Sequence, residues 1–117
     1  MAILRDEPDA ERCLSVMEGA KLLAMSAGTL AELRIVAGHR KIGPALDLFL
    51  EKLAPEIVAV TAEDARAVAE AHARWGKGVH PAALNFGDCF AYALATSRNW
   101  PLLYVGEDFA QTDVAAA

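Results

Sequence analysis

Short apolar runs alternate along this chain with longer stretches in which apolar residues recur every three or four positions. The runs at 21–26, 57–60 and 101–105 have the length and composition of strands. Polar residues do not alternate within 57–60, so we expect both faces of that strand to be covered. The pattern predicts short strands separated by amphipathic helices, which is typical of a parallel sheet packed between layers of helices.

Five helices are predicted from this periodicity and from residues that commonly begin or end helices. Their predicted starts are Asp6, Thr29, Pro44, Thr61 and Phe86. In the last helix, residues 86–98, the side chains of Phe86, Phe90 and Leu94 form a stripe that we expect to face the core. Ligands of parallel sheets collect at the carboxyl ends of strands, which would place a site just after Met25 and Tyr104.

The composition is that of one globular domain spanning residues 1–117. Apolar residues make up 55% of the chain, which excludes a disordered protein. No apolar run is long enough to cross a bilayer and no leader is recognisable, so we expect a cytoplasmic protein. Cys13 and Cys89 lie in helical patterns without metal-ligand spacing, which favours two core thiols. The three histidines are interpreted as surface or loop residues.

Three acids are the candidate functional residues. Asp88 lies on the first turn of a helix, Glu32 on the helix after a strand, and Asp108 just past the last strand. Such carboxylates, converging from different elements, suit Mg²⁺ or Mn²⁺ and phosphoryl chemistry. Converging acids also repel one another, so we expect at least one raised pKa. With a net charge of −5, a protein acting on RNA would have to gather its acids around a metal.

Helix capping is the alternative interpretation of two of these acids. Asn85 and Asp88, like Thr29 and Glu32, have the spacing of a capping box, in which the acid bonds back to an unpaired backbone N–H. Thr61 and the acid three residues after it share this spacing with no sign of chemistry. The pattern alone leaves capping and metal binding both open. Asp108 has no helix to cap, and its alternative is a turn acid.

Three segments closely resemble the PIN-domain toxins called VapC, the toxin halves of bacterial type II toxin–antitoxin pairs. They are residues 6–12 (DEPDAER), 76–90 (GKGVHPAALNFGDCF) and 101–109 (PLLYVGEDF). The resemblance extends over nearly the whole chain. It implies a three-layer α/β/α sandwich around a parallel sheet and a Mg²⁺- or Mn²⁺-dependent endoribonuclease. It also implies RNA as substrate, a homodimer and inhibition by a small VapB antitoxin.

The resemblance assigns a role to each candidate acid. Glu32 matches the family's acid on the helix after the second strand, and Asp88 matches the metal-ligating acid of the Gly-Asp-Cys-Phe motif. Asp108 matches the acid after the penultimate strand. These three are the implied catalytic and metal-binding residues. The metal would polarise the scissile phosphate and lower the pKa of an attacking water.

One departure from the family concerns its first strand, which carries a metal-binding Asp and has no counterpart in a sequence that begins at Met1. A misassigned start codon, a truncated form and a degenerate gene would each produce this sequence, and we favour the first because the other acids are intact. Without that strand, we expect weak or undetectable RNA cleavage. We also expect open strand edges beside 22–26 and 101–105, and a homo-oligomer that covers them.

Two other functions stay open from the sequence. The first is a non-catalytic binding protein that keeps the dimer and antitoxin surfaces but does not hydrolyse RNA. The second is a small α/β domain with an unrelated binding function. Metal affinity would separate a nuclease from the non-catalytic protein, and a neighbouring antitoxin reading frame would argue against the unrelated domain.

Overall fold

The computed structural model describes residues 10–117 of the chain. The elements of this part alternate as predicted: α1 (Ala10–Gly19), β1 (Ala24–Ser26), α2 (Ala27–His39), α3 (Gly43–Leu53), β2 (Glu56–Val58), α4 (Ala62–Trp75) and α5 (Phe86–Arg98), followed by a 3₁₀ turn (Phe109–Gln111). The predicted start of the first helix at Asp6 lies outside the described residues. None of the helices within 10–117 is long and apolar enough to span a membrane.

Besides the isolated parallel bridge between Gly76 and Leu84 in the loop before α5, the described backbone forms two parallel strand pairings. β1 pairs with β2, with Ala24 opposite Glu56, which confirms the predicted parallel arrangement of an α/β fold. The second pairing joins Leu102 to the end of the chain, where the Leu102 N–H donates to the Ala115 carbonyl at 2.8 Å. Within residues 10–117, no backbone ladder connects the two pairings. The predicted strand 101–105 is therefore reduced to one bridge, and Pro101 at its start has no N–H to donate.

β2 is more exposed than its apolar sequence predicted. Ile57 retains 42% of its accessible surface and Val60, just beyond the strand, retains 38%. The expectation that both faces would be covered is wrong, because the adjacent residues Glu56 and Ile57, which point to opposite faces, are both exposed.

Helix starts agree with the sequence except at α2. Thr61 caps α4 as predicted, and Pro44 lies in the first turn of α3. α2 begins at Ala27 instead of Thr29, because Ser26 at the end of β1 supplies the cap: its hydroxyl accepts the N–H of Gly28 at 3.1 Å. This shift changes the interpretation of Glu32, which is no longer at the capping position.

The core lies where α4, α5 and the C-terminal segment meet. Leu84 and Cys89 are its largest fully buried side chains. Cys13 is buried as well, and both thiols are free, which confirms the expected pair of buried thiols. Phe86, which was predicted to join the core stripe of α5, is instead 74% exposed.

A hydrogen-bond chain through the core attaches the C-terminal segment to α4 and α5. The Trp75 indole N–H donates to the Tyr92 hydroxyl at 3.0 Å, and that hydroxyl donates to Asp113 at 2.5 Å. Arg74 completes the chain with an ion pair to Asp113 at 3.4 Å. Burial, and then the bond to Asp113, raise the pKa of the Tyr92 phenol. Asp113 therefore anchors this segment.

Replacing Tyr92 by Phe removes the hydroxyl at the centre of this chain and leaves the buried Trp75 N–H without its acceptor. We expect Tyr92→Phe to lower the free energy of unfolding by about 1–3 kcal/mol in urea denaturation. The matched control is Tyr104→Phe, because the Tyr104 hydroxyl has no hydrogen-bond partner among residues 10–117. That control should stay within about 0.5 kcal/mol of the parent. Equal losses of unfolding free energy in both variants would mean that the hydrogen-bond chain does not contribute to stability.

Candidate functional site

The first turn of α5 holds Asp88 in a fixed orientation. Its Oδ2 accepts the backbone N–H of Asn85 at 3.0 Å, while Oδ1 of Asn85 accepts the N–H of Asp88 at 2.8 Å. Both halves of the predicted capping box are present. The capping interpretation of Asp88 is confirmed, yet it uses one carboxylate oxygen. Oδ1 receives no hydrogen bond from the described residues and remains available for other chemistry.

Glu32 has no capping role, and its carboxylate packs instead against the α-carbon of Gly87. A methyl group at Gly87 would overlap the carboxylate oxygens. A reciprocal contact is also close: a methyl group at Gly28 of α2 would overlap the ring of Phe90 from α5. Two glycines, one on each helix, therefore let α2 and α5 approach closely enough for Glu32 to reach the first turn of α5 beside Asp88.

The three predicted acids interact electrostatically around Asp88. Burial, and then the negative charge of Asp88, raise the pKa of Glu32. Burial also raises the pKa of Asp88, the hydrogen bond from the Asn85 N–H opposes this rise, and the charge of Asp108 adds to it. The expected raised pKa is confirmed, although burial contributes more than the anticipated repulsion. Asp108 itself is exposed and directly precedes the 3₁₀ turn.

The donor set fits a hard, hydrated cation better than a closed protein cage. No three His, Cys, Asp or Glu side chains among residues 10–117 are grouped closely enough to hold an ion by themselves. The oxygens of Glu32, Asp88 and Asp108 are nevertheless the ligand type that Mg²⁺ and Mn²⁺ prefer, and Mg²⁺ usually keeps several waters. One turn before Glu32, the buried Thr29 hydroxyl has no hydrogen-bond partner in the described part of the protein. A hydrated cation would match both features, because its charge offsets that of the acids and its water offers the Thr29 hydroxyl a hydrogen-bond partner.

Two residues that shape this site were not predicted to do so from the sequence. Gly87 is needed for the approach of the Glu32 carboxylate, and a glycine beside an acid in the first turn of a helix was the available signal. His80 was interpreted as a loop residue, which is confirmed, but its ring also packs edge-on against Trp75 at 4.8 Å. Its Nδ1 accepts the N–H of Ala82 at 3.0 Å, so His80 shapes the loop before α5.

Removing one charge from the acid cluster should stabilise the metal-free protein. A carboxyl whose pKa is raised by folding contributes stability below its ordinary pKa, and that contribution is lost as pH rises through the raised value. In chelator near neutral pH, we therefore expect Glu32→Gln to melt at a higher temperature than the parent. The difference should shrink as pH falls toward 4.5, the ordinary value for Glu. Thermal melts across this pH range would measure it.

The control for this experiment is an acid whose pKa shift has the opposite sign. The guanidinium of Arg98 bonds both carboxylate oxygens of Glu56 at 2.9 Å and lowers the pKa of Glu56. Glu56→Gln should therefore lower the melting temperature near neutral pH. If Glu32→Gln also lowered the melting temperature, the negative charges of Glu32 and Asp88 would not destabilise the folded protein.

Comparison with known proteins agrees with the resemblance seen in the sequence. The family model described as PIN domain matches residues 1–115. A VapC ribonuclease of Mycobacterium bovis is 44% identical over 118 residues, covering 98% of this chain and 90% of that protein. A ribonuclease VapC of Mycolicibacterium smegmatis is 45% identical over 119 residues, covering 99% of this chain and 92% of that protein. The interpretation as an unrelated α/β domain is therefore wrong, and the chain belongs to the PIN-domain family, among relatives named VapC ribonucleases.

Proposed function

We propose that this protein is the toxin of a type II toxin–antitoxin pair and an endoribonuclease that uses Mg²⁺ or Mn²⁺. The observation that carries the proposal is the position of Glu32 against Gly87, where its carboxylate acts on that of Asp88. Folding brings two like charges together at partly buried positions, which is unfavourable unless a cation offsets it. The names of the relatives, all ribonucleases, supply the substrate class.

Asp88, Glu32 and Asp108 are the residues that would hold the ion. A bound Mg²⁺ or Mn²⁺ supplies Lewis-acid polarisation of a phosphate and lowers the pKa of a coordinated water. Asp88 presents a preset oxygen, because its other oxygen is bound to the Asn85 N–H. Glu32 reaches the same place from α2, and Asp108 adds negative charge from the segment after Leu102. In the overall reaction a water oxygen bonds to phosphorus, one P–O ester bond breaks, and the leaving oxygen takes a proton.

The proposed partners are RNA, a VapB-type antitoxin and a second copy of the chain, in the cytoplasm. Buried free thiols suit a reducing compartment. Several large apolar side chains are exposed away from the core and offer apolar area for contact with another chain. These side chains include Leu22, Ile35 and Leu48.

A catalytically impaired binding protein is the second candidate. It is favoured by one observation: within residues 10–117, no three potential ligands are grouped tightly enough to hold a metal unaided. Such a protein would keep its antitoxin and dimer surfaces but show little response to Mn²⁺. Metal binding therefore separates the two candidates.

Metal binding should stabilise the protein. It should also depend on Gly87, because the absence of a side chain there leaves space for the Glu32 carboxylate. Mn²⁺ at a hundredfold excess over its Kd would add about 2.7 kcal/mol to the free energy of unfolding. Gly87→Ala pushes away the Glu32 carboxylate, which is the end of a flexible side chain, so the fold should tolerate the change. We expect the variant to melt in chelator at or near the parent's temperature but to lose most of the Mn²⁺-induced shift.

The matched control is Gly38→Ala, because a methyl group at this position in α2 meets no atom within 4 Å. It should keep the full Mn²⁺ shift. A parent protein whose melting temperature does not respond to millimolar Mn²⁺ would count against the metal site and favour the second candidate.

Cleavage of RNA by the chain should require Mn²⁺ and Asp88. We expect Asp88→Asn to lower the Mn²⁺-dependent rate by at least about a hundredfold, since even outer-shell changes at metal sites cost 10–100-fold. An Asn side chain can still accept the Asn85 N–H, so the variant should stay folded, which circular dichroism would check. Cleavage that persists in chelator or survives Asp88→Asn would point to another site or a contaminant.

A further inference from the structure

Phe86 is the most exposed large apolar side chain in the described part of the protein, with 74% of its surface accessible. It is the first residue of α5 and immediately precedes Gly87 and Asp88. An aromatic ring is therefore exposed to solvent two residues before Asp88 in the sequence and directly before the glycine against which the Glu32 carboxylate packs. The core has no role for this ring, because it lies outside the buried cluster between α4, α5 and the C-terminal segment.

The ring is nevertheless held in place. Phe86 and Phe90 pack edge to face, with ring centroids 5.0 Å apart and ring planes at 84°. Phe90 is in turn packed against Gly28, where a methyl group would overlap its ring. One side of Phe86 is thus supported by a fixed neighbour while most of its surface stays open. A supported ring loses little freedom when a flat ligand stacks on it.

Charge alone is a poor means for this protein to hold RNA. Its net charge is −5, and the negative charges of Glu32 and Asp88 at the candidate site would repel phosphates. Stacking of a base on an aromatic side chain depends little on phosphate charge, tolerates any base, and requires a base that is not paired. It contributes about tenfold in affinity per base.

We propose that Phe86 is a substrate-positioning residue on which an unpaired base of the RNA stacks, next to the phosphate that is cleaved. The proposal rests on the ribonuclease function proposed above. The base held on Phe86 fixes the register of the strand relative to Asp88 and selects single-stranded RNA. The competing occupant of this surface is a second copy of the chain.

Binding of a fluorescein-labelled, single-stranded RNA of about twelve nucleotides, followed by anisotropy in Mn²⁺ with the cleavage-impaired Asp88→Asn chain, tests the stacking. In this background, Phe86→Ala and Phe86→Leu should each weaken binding about tenfold, and Phe86→Tyr and Phe86→Trp should retain it. Leu keeps an apolar side chain without a ring, so a Leu variant that binds like Phe would overturn stacking. Val79→Ala, a change at another exposed apolar residue, should have no effect.

A second measurement identifies the stacked base. A set of RNAs carries one abasic nucleotide each, at a different position in each RNA. At one of these positions, loss of the base should weaken binding to the protein with Phe86 but not to Phe86→Ala. RNA should also quench the added indole emission of Phe86→Trp. If binding and Asp88-dependent cleavage are unchanged in Phe86→Ala, the stacking proposal fails while the ribonuclease function stands. If the parent chain neither binds nor cleaves RNA, both fail.

Light scattering on the same variants tests the competing occupant. Phe86→Ala should leave the oligomeric state unchanged. A shift from dimer to monomer with no loss of RNA affinity would assign this surface to a second copy and overturn the proposal.

Discussion

The close approach of α2 and α5 is the constraint on which the candidate site depends. Each helix contributes one glycine to the crossing, and each glycine accommodates a side chain from the other helix: Gly87 accommodates Glu32, and Gly28 accommodates Phe90. The two contacts differ in kind, since one side chain is a flexible carboxylate and the other a rigid ring. The ring fixes the spacing of the helices, and the carboxylate uses the resulting space. Chemistry and packing are therefore set by the same crossing.

The two acids at this crossing differ in how much freedom binding would remove. Asp88 is held by backbone bonds at the start of α5, so its free oxygen points in one direction before any ligand arrives. Glu32 has three rotatable bonds and is limited mainly by contact with Gly87. A cation would therefore meet one preset ligand and one adaptable ligand. Such a combination tolerates small changes in ion size better than two fixed carboxylates would, at some entropic cost.

The order and boundaries of most elements could be predicted from the sequence, because caps and breakers act locally. Thr61 and Asn85 cap their helices as their spacing indicated. The wrong predictions concern residues whose structure depends on neighbours that are distant in the sequence. Whether residues 101–105 form a strand depends on backbone partners distant in sequence, and the exposure of Phe86 depends on which elements cover α5. Glu32 was selected from its position on the helix after a strand and from the family resemblance, whereas its contact with Gly87 depends on how two helices pack.

The separation of the two strand pairings within residues 10–117 has a consequence for how the protein opens. β1 and β2 form one hydrogen-bonded pair, and Leu102 with the chain end forms another, so cooperativity between them must pass through side-chain packing on α5. Side-chain packing couples two segments less strongly than a continuous ladder of backbone hydrogen bonds does. An opening of the C-terminal segment would therefore break the packing of Phe109 and the Tyr92–Asp113 bond without breaking a backbone bond between β1 and β2. Amide hydrogens near Leu102 would then exchange through smaller openings than those of β1.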